Sequence, residues 1–128
     1  MKFVVITNNK LVLDEYGDKY PVEYHEDKDL LGILEITRDK IHMGHELFTH
    51  PLTGSIKPNE TPFKSIAVSL EKGKMNFESV EIIESAITVT KKFLNDAKVR
   101  NWNEKVLEDF RLIDFNLIKS GIESMKAF

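Results

Sequence analysis

The chain has no cysteine. That excludes disulfides, thiolate zinc sites and cysteine nucleophiles, and it fits a reducing cytoplasm. Long hydrophobic runs are also missing. The longest near the N-terminus, Phe3-Val4-Val5-Ile6, stops at Thr7 and Asn8. No signal peptide and no membrane span is expected from so short a run. Basic residues are in slight deficit, with 18 Lys and Arg against 21 Asp and Glu. A net charge of -3 argues against general nucleic-acid binding, which needs a basic surface.

The 128 residues are expected to form a single α/β domain, residues 1–128, long enough to bury a core. Phe3–Ile6 reads as a strand buried on both faces. Thr7-Asn8-Asn9 closes it and can cap a short helix over 10–16. Val22-Glu23-Tyr24 alternates like an edge strand. His25-Glu26-Asp27-Lys28-Asp29 reads as a solvated loop. Asp29 is a plausible N-cap for a long helix. Its stripe, Leu30, Ile33, Leu34, Thr37, Ile41, Gly44 and Phe48, extends that helix to Phe48. Ile66–Leu70 reads as a third strand. A second long helix capped by Asn76, with apolar stripes running to Leu94, and a last helix over about 104–124 complete the chain.

This order predicts a small three-layer α/β fold. It has a short, mostly parallel sheet of about three strands, in the order 2-1-3, and long flanking helices. Ligands in such sheets bind beyond the carboxyl ends of the strands. That points to Thr7, Asn8 and Asn9, and to Glu71–Lys74. The last two helices carry more apolar surface than one contact needs, so a homodimer through one of them is expected. Gly121 would allow a close approach there.

The most informative stretch is Thr37–Ser65, TRDKIHMGHELFTHPLTGSIKPNETPFKS. On a helix continuing to Phe48, Arg38, His42 and His45 form a polar line at i, i+4 and i+7. The following 15 or so residues show no periodicity, and compact domains keep such a loop mainly for function. Pro51, Pro58 and Pro62 stiffen it, and Leu52, Ile56 and Phe63 can anchor it. It carries His50, Ser55, Lys57, Asn59, Glu60 and Thr61. With Arg38, His42, His45, Asn8 and Asn9, these are the candidate ligand-binding residues.

Several chemistries compete for this set. His42, His45 and His50 with Asp39, Glu46 or Glu60 could ligate a metal, but the pattern is not H-E-x-x-H, and no metal is expected. Ser55 near Lys57 lacks the elbow of a serine nucleophile. Arg38, Lys57 and Lys64 with the Thr53–Ser55 turn favour a small anionic ligand, a carboxylate or a phosphate. The competing reading has Arg38 clamped to Asp39, Glu60 or a carboxylate of the C-terminal helix as structure.

Arg38–Ser65 also resembles the signature of the GrdX family, small proteins encoded beside the glycine, sarcosine and betaine reductase components of amino-acid-fermenting anaerobes. Ile83–Ile87 (IESAI) and Asp109–Ile118 (DFRLIDFNLI) fit the same pattern. The resemblance implies a cytoplasmic accessory of a glycine-reductase-type system, with a reductase component as partner. It implies no activity, cofactor or catalytic residue. The expected function is therefore an accessory that binds a small anion at the 38–61 helix and loop. The alternatives are an enzyme using His42 or His45 as acid–base on a small carboxylate or phosphoryl substrate, and a protein–protein adaptor.

Overall fold

The computed structural model describes residues 2–126. Its order is β1 (Phe3–Thr7), α1 (Lys10–Tyr16), β2 (Val22–Tyr24), α2 (Leu30–His42), β3 (Ser65–Ser69), α3 (Phe77–Asp96) and α4 (Glu104–Lys126). Three helices start at the expected caps. Asn9 accepts from the Leu11 amide, Asp29 from Gly32 and Asn76 from Ser79. Each side chain satisfies an amide that the first turn leaves free.

The sheet order is β2-β1-β3, as the sequence predicts. Side chains of β1 alternate between its faces. Ile6, and Val4 at the margin, pack with Leu30, Ile33, Leu34 and Ile41 of α2 and with Ile83 and Ile87 of α3. Phe3 and Val5 pack with Val12 and Tyr16 of α1 and with Ile118 and Ile122 of α4. A fully buried aliphatic side chain of this size contributes about 1.5–3 kcal/mol. The apolar run at β1 therefore serves both clusters at once.

Two expectations fail, for one connected reason. Helix α2 stops at His42, not Phe48. Gly44 has φ 107, the Gly44 amide donates to Ile41 O and the His45 amide donates to Lys40 O. These paired bonds around a left-handed glycine form a Schellman stop. His45 therefore leaves the helix and does not extend the Arg38–His42 line. The chain then runs beside β3. Leu47 bridges Val68 in antiparallel sense, and the Phe48 amide donates to Ala67 O at 2.9 Å.

The second failure is the direction of β3. It is antiparallel to β1, with Thr7 opposite Ser65 and Phe3 opposite Ser69, so the sheet is mixed rather than mostly parallel. Only β1 and β2 are parallel. The segment after α2, residues 46–49, takes the direction a crossover would have given β3. The long loop then turns back at the carboxyl end of β1. Lys64 and Ser65 consequently meet Thr7, Asn8 and Asn9 there. Glu71–Lys74 falls at the opposite end, where the Gly73 amide donates to Gly44 O.

The loop is fastened to its own chain. Asn59 Nδ2 donates to Phe93 O and Ala97 O, both at 3.1 Å, which ties it to the end of α3. Trp102 Nε1 donates to Glu60 O, and Asn8 Nδ2 to Pro62 O. Pro51, Pro58 and Thr61 are buried. Among the described residues, no helix is long and apolar enough to cross a membrane.

Candidate functional site

An open cleft of about 630 Å³ lies between residues 46–53 and α4. Leu47, Phe48, Leu117 and Ile118 give it apolar walls, and Lys64, Ser65 and Asp114 form its polar end. Gly121 lets α4 come close to the opposite wall. A Cβ there would stand 2.9 Å from Thr49 Cγ2. The close approach expected at Gly121 is thus met by a side chain of the same subunit.

A directed hydrogen-bond chain builds the polar end. Ser65 Oγ donates to Asp114 Oδ2 at 2.7 Å. With its one proton used, it accepts from Thr7 Oγ1 at 2.6 Å. Thr7 Oγ1 in turn accepts from the Asn9 amide at 2.9 Å. Asn9 Nδ2 donates to Asp114 Oδ2 at 3.0 Å and to Arg111 O at 2.9 Å. The carboxyl is therefore held by β1, β3 and the start of α1 together. Burial still dominates: Asp114 is 7% exposed, and desolvation pushes its pKa up against the hydrogen bonds from Asn9 and Ser65 and the pull of Lys64.

Lys64 is the counterpart, also 7% exposed. Desolvation pulls its amine below the ordinary lysine range, and the attraction of Asp114 only partly offsets this. Among the described residues the amine meets no hydrogen-bond acceptor. It is not sealed in either, since the one buried polar side-chain atom without a partner is Thr90 Oγ1. Lys64 lines the cleft. Backbone bonds fix its position. Asn8 Oδ1 accepts from the Lys64 amide at 2.9 Å, while Asn8 Nδ2 donates to Lys28 O.

The residues proposed from sequence scatter around this point. Asn8 and Asn9 lie at the site but spend their amides on the protein. His50 lines the cleft, with Nδ1 turned to Leu52 of its own loop, 2.9 Å from the carbonyl oxygen. His45 is buried; Nδ1 stands 2.7 Å from Ser69 O and must carry the proton, because a carbonyl only accepts. Arg38 pairs with Asp39 at 3.2 Å, and His42 faces Glu84 of α3 at 3.5 Å. Ser55 bonds Thr53, and the Lys57 amide donates to Glu60 Oε1. Thr61 Oγ1 accepts from the Phe63 amide. Among the described residues, no three His, Asp or Glu side chains are grouped to hold a metal ion.

His25 departs from the solvated-loop reading. Its Nε2 lies 2.6 Å from Glu23 Oε2, and Lys40 reaches Glu23 Oε1 at 2.8 Å. Burial raises the Glu23 pKa, but the bonds from Lys40 and His25 win and hold it below the usual range. The trio pins β2 to α2 and adjoins no part of the cleft.

Sequence reasoning overlooked Asp114. Its signal was an acid in the row Asp114, Ile118, Ile122, one turn apart along α4 and buried throughout. Lys64 counted only as one of several nearby cations.

The model of the GrdX-like protein family matches residues 4–123. The chain belongs to that family. The match runs from β1 into α4 and includes Lys64, Asp114 and the cleft wall except Ser124 and Met125. No curated protein and no solved structure matches this family member.

Proposed function

We propose that this protein is a ligand-binding accessory of a glycine-reductase-type system, and that the cleft receives a small carboxylate. Family membership supports the context. The observation that carries the ligand reading is the buried, unpartnered Lys64 amine at the polar end of an apolar cleft. Ligand pockets have this composition, apolar walls with a few convergent polar groups. Lys64 replaces Arg38 as the nitrogen donor to the carboxylate, since Arg38 is paired with its neighbour Asp39. A role for His42 or His45 in acid–base chemistry has less support. His42 is exposed beside Glu84, and the His45 Nδ1 proton is committed to Ser69 O.

The reading also pairs this chain with a second copy through α4. Leu112, Ile113 and Leu117 of that helix remain 39–52% exposed, which supports a covered face. A single-chain mass by light scattering at micromolar concentration removes that part.

Calorimetric titration tests the ligand. The probes are glycine, sarcosine, betaine, acetate, butyrate and pyruvate, added to wild type and Lys64→Met. At least one should bind saturably. A charge-assisted bond to the amine is worth about 1.5–3 kcal/mol, so the variant should bind roughly 10- to 100-fold more weakly. Equal binding by a folded Lys64→Met, or no saturable heat from any probe, overturns the reading.

A further inference from the structure

We propose that Lys64 forms a Schiff base with the carbonyl carbon of a small 2-oxo acid in the cleft, with Asp114 carrying the proton. This rests on the cleft being the ligand site and names what that ligand does. Three features of the geometry support it. Lys64 is buried yet lines an open cleft that a ligand can enter. It is neither hydrogen-bonded nor salt-bridged among the described residues, so no protein contact must break first. Asp114 lines the same cleft, beyond ion-pair distance from Lys64, with Oδ2 held by Ser65 and Asn9.

A nucleophilic amine must be neutral, and burial in an apolar pocket is how proteins achieve this for lysine. The environment of Lys64 acts in that direction, since desolvation outweighs the attraction of Asp114. The same burial favours the acid form of Asp114. Both shifts run toward a neutral amine and a protonated carboxyl, the forms that imine formation uses.

The step balances without an oxidant or reductant. The Lys64 nitrogen lone pair attacks the carbonyl carbon, and the π pair moves to oxygen. Transfer of one proton from nitrogen to that oxygen gives a carbinolamine. Asp114 then protonates the hydroxyl, the C–O bond breaks and water leaves. The iminium ion remains, facing the Asp114 carboxylate. Returning the nitrogen proton to Asp114 gives the neutral imine. The sum is ketone plus amine to imine plus water. The substrate carboxylate stays beside the nitrogen, whose positive charge as iminium complements it.

The experiment is reductive trapping. Full-length protein is incubated with pyruvate or glyoxylate and cyanoborohydride, then measured by intact mass and peptide mapping. The expected result is one saturable adduct per chain, mapped to Lys64 and absent in Lys64→Met. Asp114→Asn should slow trapping by roughly 100-fold or more, the usual scale for losing a general acid. Adducts spread over exposed lysines such as Lys72 and Lys74, without saturation, overturn the proposal. Pyruvate that binds by calorimetry but leaves Lys64 unmodified overturns the Schiff base alone and keeps the carboxylate site. Neither binding nor adduct overturns both. Mapping on wild type reads Lys64 directly, so the test stands even if a variant misfolds.

Discussion

A Cβ placed on Gly44 would stand 2.2 Å from the carbonyl oxygen of Gly73. Gly44 also sits at φ 107, where an L side chain is strained. Together the two residues close the end of the sheet opposite Lys64 and Ser65, through the Gly73 amide bonded to Gly44 O at 2.9 Å. Gly44→Ala should therefore destabilise by about 1–3 kcal/mol from backbone strain alone, with the clash adding to it. Gly54→Ala is the control, because nothing lies within 4 Å of its built Cβ. It should stay within about 0.5 kcal/mol of wild type. Urea unfolding of both variants checks this, and equal midpoints would refute it.

The same glycine shows where sequence reading succeeds and where it stops. Local signals were legible: the caps Asn9, Asp29 and Asn76, the doubly buried β1 and the strand order all hold. Gly44 was legible in principle as a helix stop. It was masked because it and Phe48 fall at helical spacing after Ile41. Phe48 is instead half-buried beside β3, where sheet contacts and not helical period decide its burial. The direction of β3 depends on that same 46–49 segment, so one misread glycine reversed a strand.

The candidate site was less legible for a different reason. Arg38, His42 and the loop polar groups are dense in sequence, but they find partners close by, as Arg38 does in Asp39 and Lys57 in Glu60. Lys64 and Asp114 are 50 residues apart in number, and their burial comes from α4 closing over the start of β3. No local pattern reports such a meeting. The one available hint was an acid at a core position of α4.

Thr90 supplies a second stability prediction. It is fully buried in α3, and among the described residues its Oγ1 is the buried side-chain atom without a hydrogen-bond partner. An unsatisfied buried hydroxyl costs about 1–3 kcal/mol. Thr90→Val keeps the β-branched shape and removes the hydroxyl. It should raise stability by about 1 kcal/mol, read as a higher urea midpoint at unchanged slope. A lower midpoint would mean that the hydroxyl has a partner in solution.

The pH dependence of stability tests the polar end of the cleft without any ligand. Lys64 has a folded pKa below its unfolded value, which is about 10.4. Between those two values the folded chain holds fewer protons than the unfolded chain, so stability rises with pH across that window. Below it, the protonated amine opposes folding. Asp114 acts on the acid side with the opposite sign. Its folded pKa is raised, so folding is favoured while it is protonated, and stability falls as pH climbs from about 3.9 through the folded value. Glu46 and His50 also line the cleft. Lys64→Met removes the alkaline rise and leaves these groups in place. It should be more stable than wild type near neutrality, with the difference shrinking as pH approaches about 10. Asp114→Asn should remove the acid-side decline instead. Urea midpoints from pH 5 to 10 for the three proteins give the answer. A wild-type profile running parallel to that of Lys64→Met would show a lysine that stays solvated, and with it the neutral amine that the Schiff base requires would be lost.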